Sequence, residues 1–485
     1  MPISEQTFYF DPTSTETLQH QIQQMVIEGI LSGRLRPGER MPSSRRLAEH
    51  LGISRITVTL AFTELVSNDY LISRGRSGYF VSETAPQPPI FFQNERPTSD
   101  NVDWARILPQ RSTELYGPNR PDDWRSYKYP FIYGQTDASL FDHQNWRLCA
   151  VRALGRRDFD ALTSDYYQND DSKLIEFILR HILPRRGIRA EPDEVLLTLG
   201  AQNALWLTSQ ILLNQRRTAA VENPCYMGIR QVLNQTRSRR VAIDVDQNGL
   251  DPAKLPSDVD VVFTTPSHQA PTNTTMPLAR RQQLLTRANE DDFLVVEDDY
   301  EFEISFARSP SPALKSLDKN GRVIYIGSFS KSLFPGLRLG FLVGSKAFIN
   351  EARALRASVL RHPPGHIQRT VAYFLSLGHY DSQIMRIGRA YAQRREIMAR
   401  AIEHHGLVME NSAHQGGSSF WMRAPEAVNT SEMALALRHA GVLIEPGRAF
   451  FPPEENNQSY YRLAYSSIPA DRIEAGIKVL AEHLS

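Results

Sequence analysis

The stretch SFSKSLFPGLRLG, residues 328–340, places two cations next to apolar runs. It follows VIYIG (323–327) and runs into LGFLVG (339–344), and both runs are typical of buried strands. Lys331 and Arg338 are charged, and charged side chains are rarely buried unless they are paired or bind a ligand. The stretch therefore predicts that a lysine and an arginine lie at the ends of buried strands for a chemical reason.

Bulk properties limit the possible classes of protein. The chain has 485 residues, which is too long for one ordinary core and predicts two or three domains. Its formal net charge of +1 provides no global attraction to nucleic acid or membrane. Cys149 and Cys225 are the only cysteines, which suits a reducing compartment. With no signal peptide and no long apolar run, we expect a cytoplasmic protein without membrane contact, and we expect no metal site.

Residues 1–82 predict three helices followed by a hairpin. One helical face is apolar, and it comprises Leu18, Ile22, Met25, Val26 and Ile30. Thr13 and Glu16 have the spacing of a capping box in front of this helix. Ser43 and Ser54 are the predicted N-caps of the second and third helices, and Gly52 is the predicted end of the second.

Two short helices joined at Gly52-Ile53-Ser54 indicate a helix-turn-helix, whose second helix presents its first residues to the major groove. The hairpin turns at RGRSG, residues 74–78. Charge favours DNA as the partner, because five arginines lie within residues 34–46 beside a single acid, Glu39. These patterns leave open a small helical dimerisation or cap domain with a solvated hairpin.

The residues themselves resemble a known DNA-binding family. GRLRPGERMPSSRRLAEHLGISRITV (33–58) and DYLISRGRSGYFV (69–81) are similar to the winged helix-turn-helix of GntR-type repressors, over roughly residues 15–81. The resemblance implies that double-stranded DNA is contacted by Arg45, Ser54, Arg55, Thr57, Arg74, Arg76 and Gly78. Ile56 departs from the family, which often has a polar residue there.

The rest of the chain predicts a linker and a larger domain. Residues 83–127 are rich in proline and lack periodicity, which indicates a semi-extended linker. From residue 128 to residue 485, apolar strand candidates alternate with helical stretches, which predicts an α/β domain with a mostly parallel sheet. Long helices and a few strands predict a smaller C-terminal α+β subdomain from about residue 365.

Polar residues follow several of these strands and would meet in one crevice. Gly200, Ala201 and Gln202 open a helix, Asp298 and Tyr300 end one strand, and Ser328, Ser330, Lys331 and Arg338 follow another. Together they match pyridoxal phosphate, which needs a lysine for its aldehyde, a carboxylate for its pyridine nitrogen and a phosphate site. Taken singly, each group is more often a surface lysine, a loop or a plain helix start.

The same motifs resemble fold-type I aminotransferases over roughly residues 128–485. The matching segments are GAQNAL (200–205), ENPCY (222–226), TPSHQAPT (265–272), VVEDDYEFE (295–303), SFSKSLFPGLRLG (328–340) and YYRLAY (460–465). Preceded by a winged helix, the chain is identified as a member of the MocR-type regulators, GntR-superfamily proteins with an aminotransferase-like domain that binds pyridoxal phosphate.

The resemblance assigns a role to each site residue. It implies that Lys331 forms the Schiff base, Asp298 binds the pyridine nitrogen, Tyr300 the ring hydroxyl, and Tyr226 stacks on the ring. The phosphate would be held by Ser328, Ser330, Arg338 and the amides of Ala201 and Gln202. Arg462 would bind the acid group of an effector. Ala270, Asn273 and Ala201 depart from the family, and the smaller Ala270 is expected to widen the pocket.

The resemblance further implies a homodimeric transcriptional regulator, and a dimer would bind an operator with paired half-sites. The resemblance implies that it senses a small amine by exchange at Lys331. GABA, taurine, a diamino acid, D-alanine and pyridoxal phosphate itself are all compatible with the family, and the room at Ala270 slightly favours taurine. A working aminotransferase with an incidental N-terminal domain is the main alternative. A DNA-binding protein with a cofactor-free body is a third interpretation.

Overall fold

The chain folds as two compact units, Met1–Pro109 and Gln110–Ser485. The computed structural model describes residues 3–86, 102–108, 121–165, 167–304, 311–410, 416–455 and 457–484. Most of the predicted linker, 83–127, lies outside the described residues, and the domain bounds 1–82 and 128–485 stay predictions. Within the described ranges, no helix is long and apolar enough to cross a membrane.

The first unit contains a compact helical core and a hairpin. Its elements are α1 (Leu18–Leu31), α2 (Ser44–Leu51), α3 (Arg55–Ser67), β1 (Leu71–Ser73), β2 (Tyr79–Val81) and α4 (Trp104–Ile107). Ile22, Leu47, Val58 and Phe62 are fully buried where the first three helices meet. The predicted apolar face of α1 is only partly correct, because Leu18 is 44% exposed.

The caps of these helices follow the predicted chemistry with one exception. Ser43 and Ser54 accept backbone N–H groups of α2 and α3, and Gly52 ends α2 with a φ of 66°, as predicted. The capping box at Thr13 is wrong. The N-cap of α1 is Thr17, whose hydroxyl oxygen accepts the His20 N–H, whereas Thr13 bonds to Asp11 in the preceding turn.

The second unit is built on two main sheets with helices around them. In chain order its elements are β3 (Tyr129–Pro130), α5 (His143–Ala153), α6 (Phe159–Thr163), α7 (Ser172–Phe177), β4 (Val195–Thr198), α8 (Ala201–Leu212), β5 (Thr218–Asn223), α9 (Met227–Thr236), β6 (Arg239–Asp246), β7 (Gly249–Leu250), β8 (Val261–Thr264), α10 (Leu278–Glu290), β9 (Leu294–Asp298), α11 (Leu314–Leu317), β10 (Val323–Ser328), β11 (Gly340–Val343), α12 (Lys346–Leu360), α13 (Gly365–Ser376), α14 (His379–His404), β12 (Val408–Met409), β13 (Ser419–Arg423), α15 (Thr430–His439), β14 (Val442–Leu443), β15 (Glu445–Pro446), β16 (Tyr460–Ala464) and α16 (Ala470–Glu482).

The large sheet has the strand order β4-β11-β10-β9-β8-β5-β6-β7. Neighbouring strands from β10 to β6 are parallel, and β11 is antiparallel to both β10 and β4. The large sheet is covered by apolar clusters on both faces. On β4, for example, Leu197 packs in one cluster and its neighbour Leu196 in another. Burial on both faces explains why these strands are apolar throughout, and it confirms the predicted α/β architecture.

A smaller antiparallel sheet with the order β12-β13-β16-β15 follows the long helix α14. Its register places Arg462 of β16 opposite Trp421 on one side and Glu445 on the other. Asp298 and Lys331 lie at and just beyond the ends of strands β9 and β10 of the large sheet, whereas Arg462 lies on β16 of the smaller sheet. The position of the site depends on how these sheets pack.

Gly340 shows how tightly the large sheet packs beside this site. A Cβ atom on Gly340 would lie 2.8 Å from the Gly327 carbonyl oxygen and 3.0 Å from the Gly200 Cα. Both neighbours are backbone and cannot move cheaply. Gly336 offers a matched control, because a Cβ atom there would meet no described heavy atom within 4 Å.

We predict that Gly340→Ala lowers the free energy of unfolding by about 1–3 kcal/mol, because it overpacks a rigid contact. Gly336→Ala should change it by less than about 0.5 kcal/mol. Urea unfolding followed by circular dichroism measures both variants. Equal unfolding midpoints for the two variants would contradict the packing argument.

Candidate functional site

Lys331 lies three residues beyond the end of β10, in a partly buried pocket beside Tyr133, Glu301 and Arg462. Its Nζ is 4.1 Å from the centre of the Tyr133 ring. A Cβ atom on Gly134 would come within 2.6 Å of the same Nζ, so a glycine with a φ of 78° leaves room for the amine. Burial lowers the pKa of Lys331 to about 8, although Glu301 opposes the shift. At pH 7 about a tenth of the amine is therefore neutral and nucleophilic.

Arg462 reaches the same pocket from β16 and is itself buried. Its Cζ lies 3.9 Å from the centre of the Tyr133 ring, and its Nε donates to Glu445 at 2.9 Å. The Tyr133 backbone N–H donates to the same Glu445 carboxylate at 3.2 Å. Tyr133 thus provides one ring for two cations, and a ligand anion would be received by the two terminal nitrogens of Arg462.

Asp298 ends β9 and is 8% exposed. Its Oδ1 has no hydrogen-bond partner among the described residues. Burial, with help from Asp299 and Glu222, raises its pKa to about 7. Asp298 and Tyr226 line one small cavity. Tyr226 is the N-cap of α9 and is 40% exposed. A buried carboxylate that lacks a partner suits the protonated nitrogen of an aromatic ring.

The first turn of α8 and Arg338 form a position for an anion. Gly200 caps α8 with a φ of 78° and has no side chain to bond the first N–H groups, which belong to Ala201 and Gln202. The Arg338 Nη2 would be 3.3 Å from a Cβ atom on Gly200, and it donates to the Leu199 carbonyl at 3.1 Å. This cradle exists only because residue 200 is glycine.

Two serines precede Lys331: Ser328 is the last residue of β10, and Ser330 lies in the turn that follows. Ser328 is buried, and its hydroxyl oxygen accepts the Ser330 backbone N–H at 3.2 Å. The Gln202 side chain donates to the Gly228 carbonyl at 3.1 Å, so only its backbone amide remains for a phosphate. The donors predicted for the phosphate are thus distributed over the ends of β4 and β10, which lie on either side of β11.

Tyr300 is close to the expected position but has a different partner. Its hydroxyl donates to the His268 carbonyl at 2.9 Å, and its ring meets Tyr133 edge-on at 6.4 Å between centroids. A contact from Tyr300 to a cofactor ring hydroxyl remains a prediction, and it is compatible with the His268 contact because the phenol oxygen can still accept a hydrogen bond.

Three pocket residues were missed by the sequence analysis: Tyr133, Glu301 and Glu445. Glu301 is buried, its Oε1 accepts the Ser418 hydroxyl at 2.5 Å, and its Oε2 has no hydrogen-bond partner in the described part of the chain. Burial raises the pKa of Glu301. Glu301 could have been predicted, because it directly follows Tyr300 in the motif VVEDDYEFE. Tyr133 could not, because the segment FIYGQTD around it matches no motif.

The predicted DNA-contacting residues all belong to the first unit. Arg45 is exposed and pairs with Glu49 at 3.0 Å, and the Arg55 Nε donates to the Ser44 hydroxyl at 3.3 Å. Both contacts are weak surface contacts that a phosphate could replace. The Ser54 hydroxyl caps α3, and Thr57 is half-buried in its first turn.

The hairpin matches the expected wing in its geometry. A short 3₁₀ turn, Gly75–Ser77, joins β1 to β2 and includes Arg76. Gly78 has a φ of 95°, which favours glycine. Arg74 lies 4.8 Å over the Phe80 ring and 3.8 Å from Glu83. DNA contacts from these residues remain predictions.

Comparisons with known proteins agree with both units. Residues 143–480 match the aminotransferase class I and II family, and residues 18–81 match the gntR family of bacterial regulatory proteins. The chain is 56% identical, over all of both chains, to the HTH-type transcriptional regulator TauR of Rhodobacter capsulatus. It is 29% identical to the probable rhizopine catabolism regulatory protein MocR of Rhizobium meliloti, over 96% of this chain and 93% of that one.

Solved aminotransferases share the fold of the second unit. A kynurenine aminotransferase of Pyrococcus horikoshii, in complex with PMP, superposes with a TM-score of 0.70 at 28% identity, covering 79% of this chain and 98% of that one. The α-aminoadipate aminotransferase LysN of Thermus thermophilus gives a TM-score of 0.71 at 26% identity, over 79% and 98%.

Fold, site and comparisons together define a helix-turn-helix transcriptional regulator whose second unit is an aminotransferase class I and II domain. The chain belongs to the MocR-type regulators of the GntR superfamily.

The charge of Glu301 helps to keep Lys331 protonated, since it opposes the effect of burial on the lysine. We predict that Glu301→Gln moves the pKa of Lys331 below about 8, because a negative neighbour is lost while the contact to Ser418 is retained. Competitive acetylation of cofactor-free protein across a pH series, with peptide mass spectrometry, reports this pKa directly. Glu426→Gln, at an exposed position, is the control. An unchanged Lys331 profile in Glu301→Gln would refute the coupling.

Proposed function

We propose that this transcriptional regulator binds pyridoxal phosphate around Lys331 and responds to a small amine that bears an acid group. The observation that supports it best is the buried Asp298 carboxylate, whose Oδ1 has no partner in the described residues. Such a group is unfavourable alone and becomes favourable beside a protonated ring nitrogen. Its position close to a lysine of lowered pKa fits that cofactor.

Each end of the cofactor has candidate partners in this chain. Pyridoxal phosphate supplies an aldehyde that can exchange between the Lys331 amine and a free amine. Asp298 would hold the ring nitrogen, and Tyr226 would stack on the ring. The phosphate would lie at the start of α8, where Arg338 and the N–H groups of Ala201 and Gln202 converge.

The effector would bind between Lys331 and Arg462. Both cations contact Tyr133, so an amine near Lys331 and an anion near Arg462 are only a short side chain apart. Taurine, with two carbons between amine and sulfonate, is our first candidate, and GABA is the second. Ala270 is buried, and its small side chain leaves room for a tetrahedral sulfonate better than an aromatic residue would.

Regulation requires that the effector bind one arrangement of the protein better than another. Shifting a 1:99 equilibrium to 99:1 takes about 5.5 kcal/mol of differential affinity. Covalent exchange at Lys331 together with an Arg462–anion pair is strong enough to supply a difference of that order. We propose that the regulator acts as a homodimer on paired half-sites, since helix-turn-helix operators mirror the symmetry of their proteins.

Lys331→Ala should abolish the taurine response and change the Kd for operator DNA by no more than about twofold. Only the covalent contact is removed, and the DNA-contacting residues lie in the other unit. Fluorescence anisotropy with labelled operator, with and without taurine, measures both quantities. Lys346→Ala, an exposed lysine of α12, is the control. Loss of DNA binding in Lys331→Ala would assign a structural role to this lysine, and steady transamination by the wild type would favour an enzyme.

The pH dependence of cofactor attachment is a separate prediction. Only the neutral amine attacks an aldehyde, so the attachment rate should rise with pH and level off above about 8, where Lys331 is deprotonated. Stopped-flow absorbance after mixing pyridoxal phosphate with cofactor-free protein follows this rate. A midpoint near the ordinary lysine value of 10.5 would contradict the burial effect.

A further inference from the structure

Ile56 is an exposed apolar residue between the polar Arg55 and Thr57 in the first turn of α3. It is the second residue of α3, and 70% of its surface is accessible within the chain. Its backbone N–H donates to the Ser54 hydroxyl at 3.2 Å, so the first turn is held in place and the side chain projects outward. Leu60, one turn later, is 51% exposed.

Three hydroxyl groups of α3 and its N-cap already have partners in the helix. Thr59 donates to the Arg55 carbonyl at 2.9 Å, and Thr63 donates to the Thr59 carbonyl at 2.9 Å. The Ser54 oxygen is engaged as the N-cap. Ile56 is therefore the apolar side chain that the first turn exposes, and it is flanked by the exposed Arg55.

A single exposed isoleucine usually needs no explanation, because protein surfaces contain many apolar atoms. Its position is what distinguishes Ile56. The first turn of the second helix in a helix-turn-helix faces the base edges of the major groove, and the nearby exposed Arg45 and Arg46 suit the flanking phosphates. The apolar feature that a base edge offers in that groove is the 5-methyl group of thymine.

We propose that Ile56 reads a thymine in each half-site through contact with its 5-methyl group. The proposal rests on DNA binding by the first unit and adds the base that position 56 selects. Cytosine lacks the methyl group and offers an amino group that an isoleucine side chain would leave without a hydrogen bond. Position 56 therefore discriminates thymine from cytosine by apolar contact.

The test removes the methyl group alone. The full-length protein first selects duplexes from a random pool, and each thymine of the selected half-site is then replaced by uracil. We expect a uracil substitution in one half-site only to weaken wild-type binding about fourfold, as the loss of one buried methyl group predicts. In Ile56→Ala, the same uracil substitution should change the Kd by less than about 1.5-fold. Fluorescence anisotropy at one fixed salt concentration measures all four combinations.

Two further variants make the result specific. Ile56→Val keeps an apolar side chain and should retain most of the uracil penalty, whereas Leu60→Ala should retain all of it. A uracil penalty that is equal in wild type and Ile56→Ala, or that disappears in Leu60→Ala instead, overturns the proposal. A selected half-site without thymine overturns it as well. If no duplex is selected at all, the proposed DNA binding fails. That result is distinct from the results above, in which DNA binding holds and only the role of Ile56 fails.

Discussion

The Asp298 carboxylate and the Lys331 amine lie close enough for their charges to interact, and the parallel pairing of β9 with β10 brings them together. Asp298 is the last residue of β9 and lies opposite Ile326, two residues before β10 ends. The chain then continues through Ser328 to Lys331. Because parallel neighbours end at the same edge of a sheet, this register positions the pocket, and everything that binds there must satisfy a buried carboxylate.

Charge balance explains how two cations are kept out of water here. Lys331 and Arg462 both lie over the Tyr133 ring, whose electron-rich face attracts cations. Glu301, Glu445 and Asp298 supply negative charge to Lys331. Glu445 and Tyr133 hold the pKa of Arg462 above its ordinary value despite burial. Lys331, which has no salt bridge of its own in the described residues, keeps a pKa of about 8 and an available amine.

Local pattern predicted those parts of the structure that local chemistry decides. Ser43, Gly52 and Ser54 cap helices as expected, since capping depends on neighbours within three residues. The apolar strands were found because burial on both faces removes polar residues. Thr13 was predicted because Glu16 completes the spacing of a capping box, whereas the observed N-cap, Thr17, is followed three residues later by His20 and matches no such box.

Contacts between residues that only tertiary packing brings together could not be predicted from the sequence. Tyr133 and Lys331 are almost two hundred positions apart, and no periodicity links them. Glu445 meets Arg462 only through the pairing of β15 with β16. The hydroxyl of Tyr300 donates to the His268 carbonyl, a contact made by a loop whose path depends on the whole fold, and its contact to a cofactor stays a prediction.

The central claim is that Lys331 binds pyridoxal phosphate covalently. The visible absorbance spectrum of the purified protein, recorded before and after borohydride and followed by peptide mapping, tests it most directly. We expect a coloured species that borohydride bleaches and traps on the peptide containing Lys331. A colourless protein that fails to take up added pyridoxal phosphate would contradict the sensing mechanism and leave a DNA-binding protein with an aminotransferase fold.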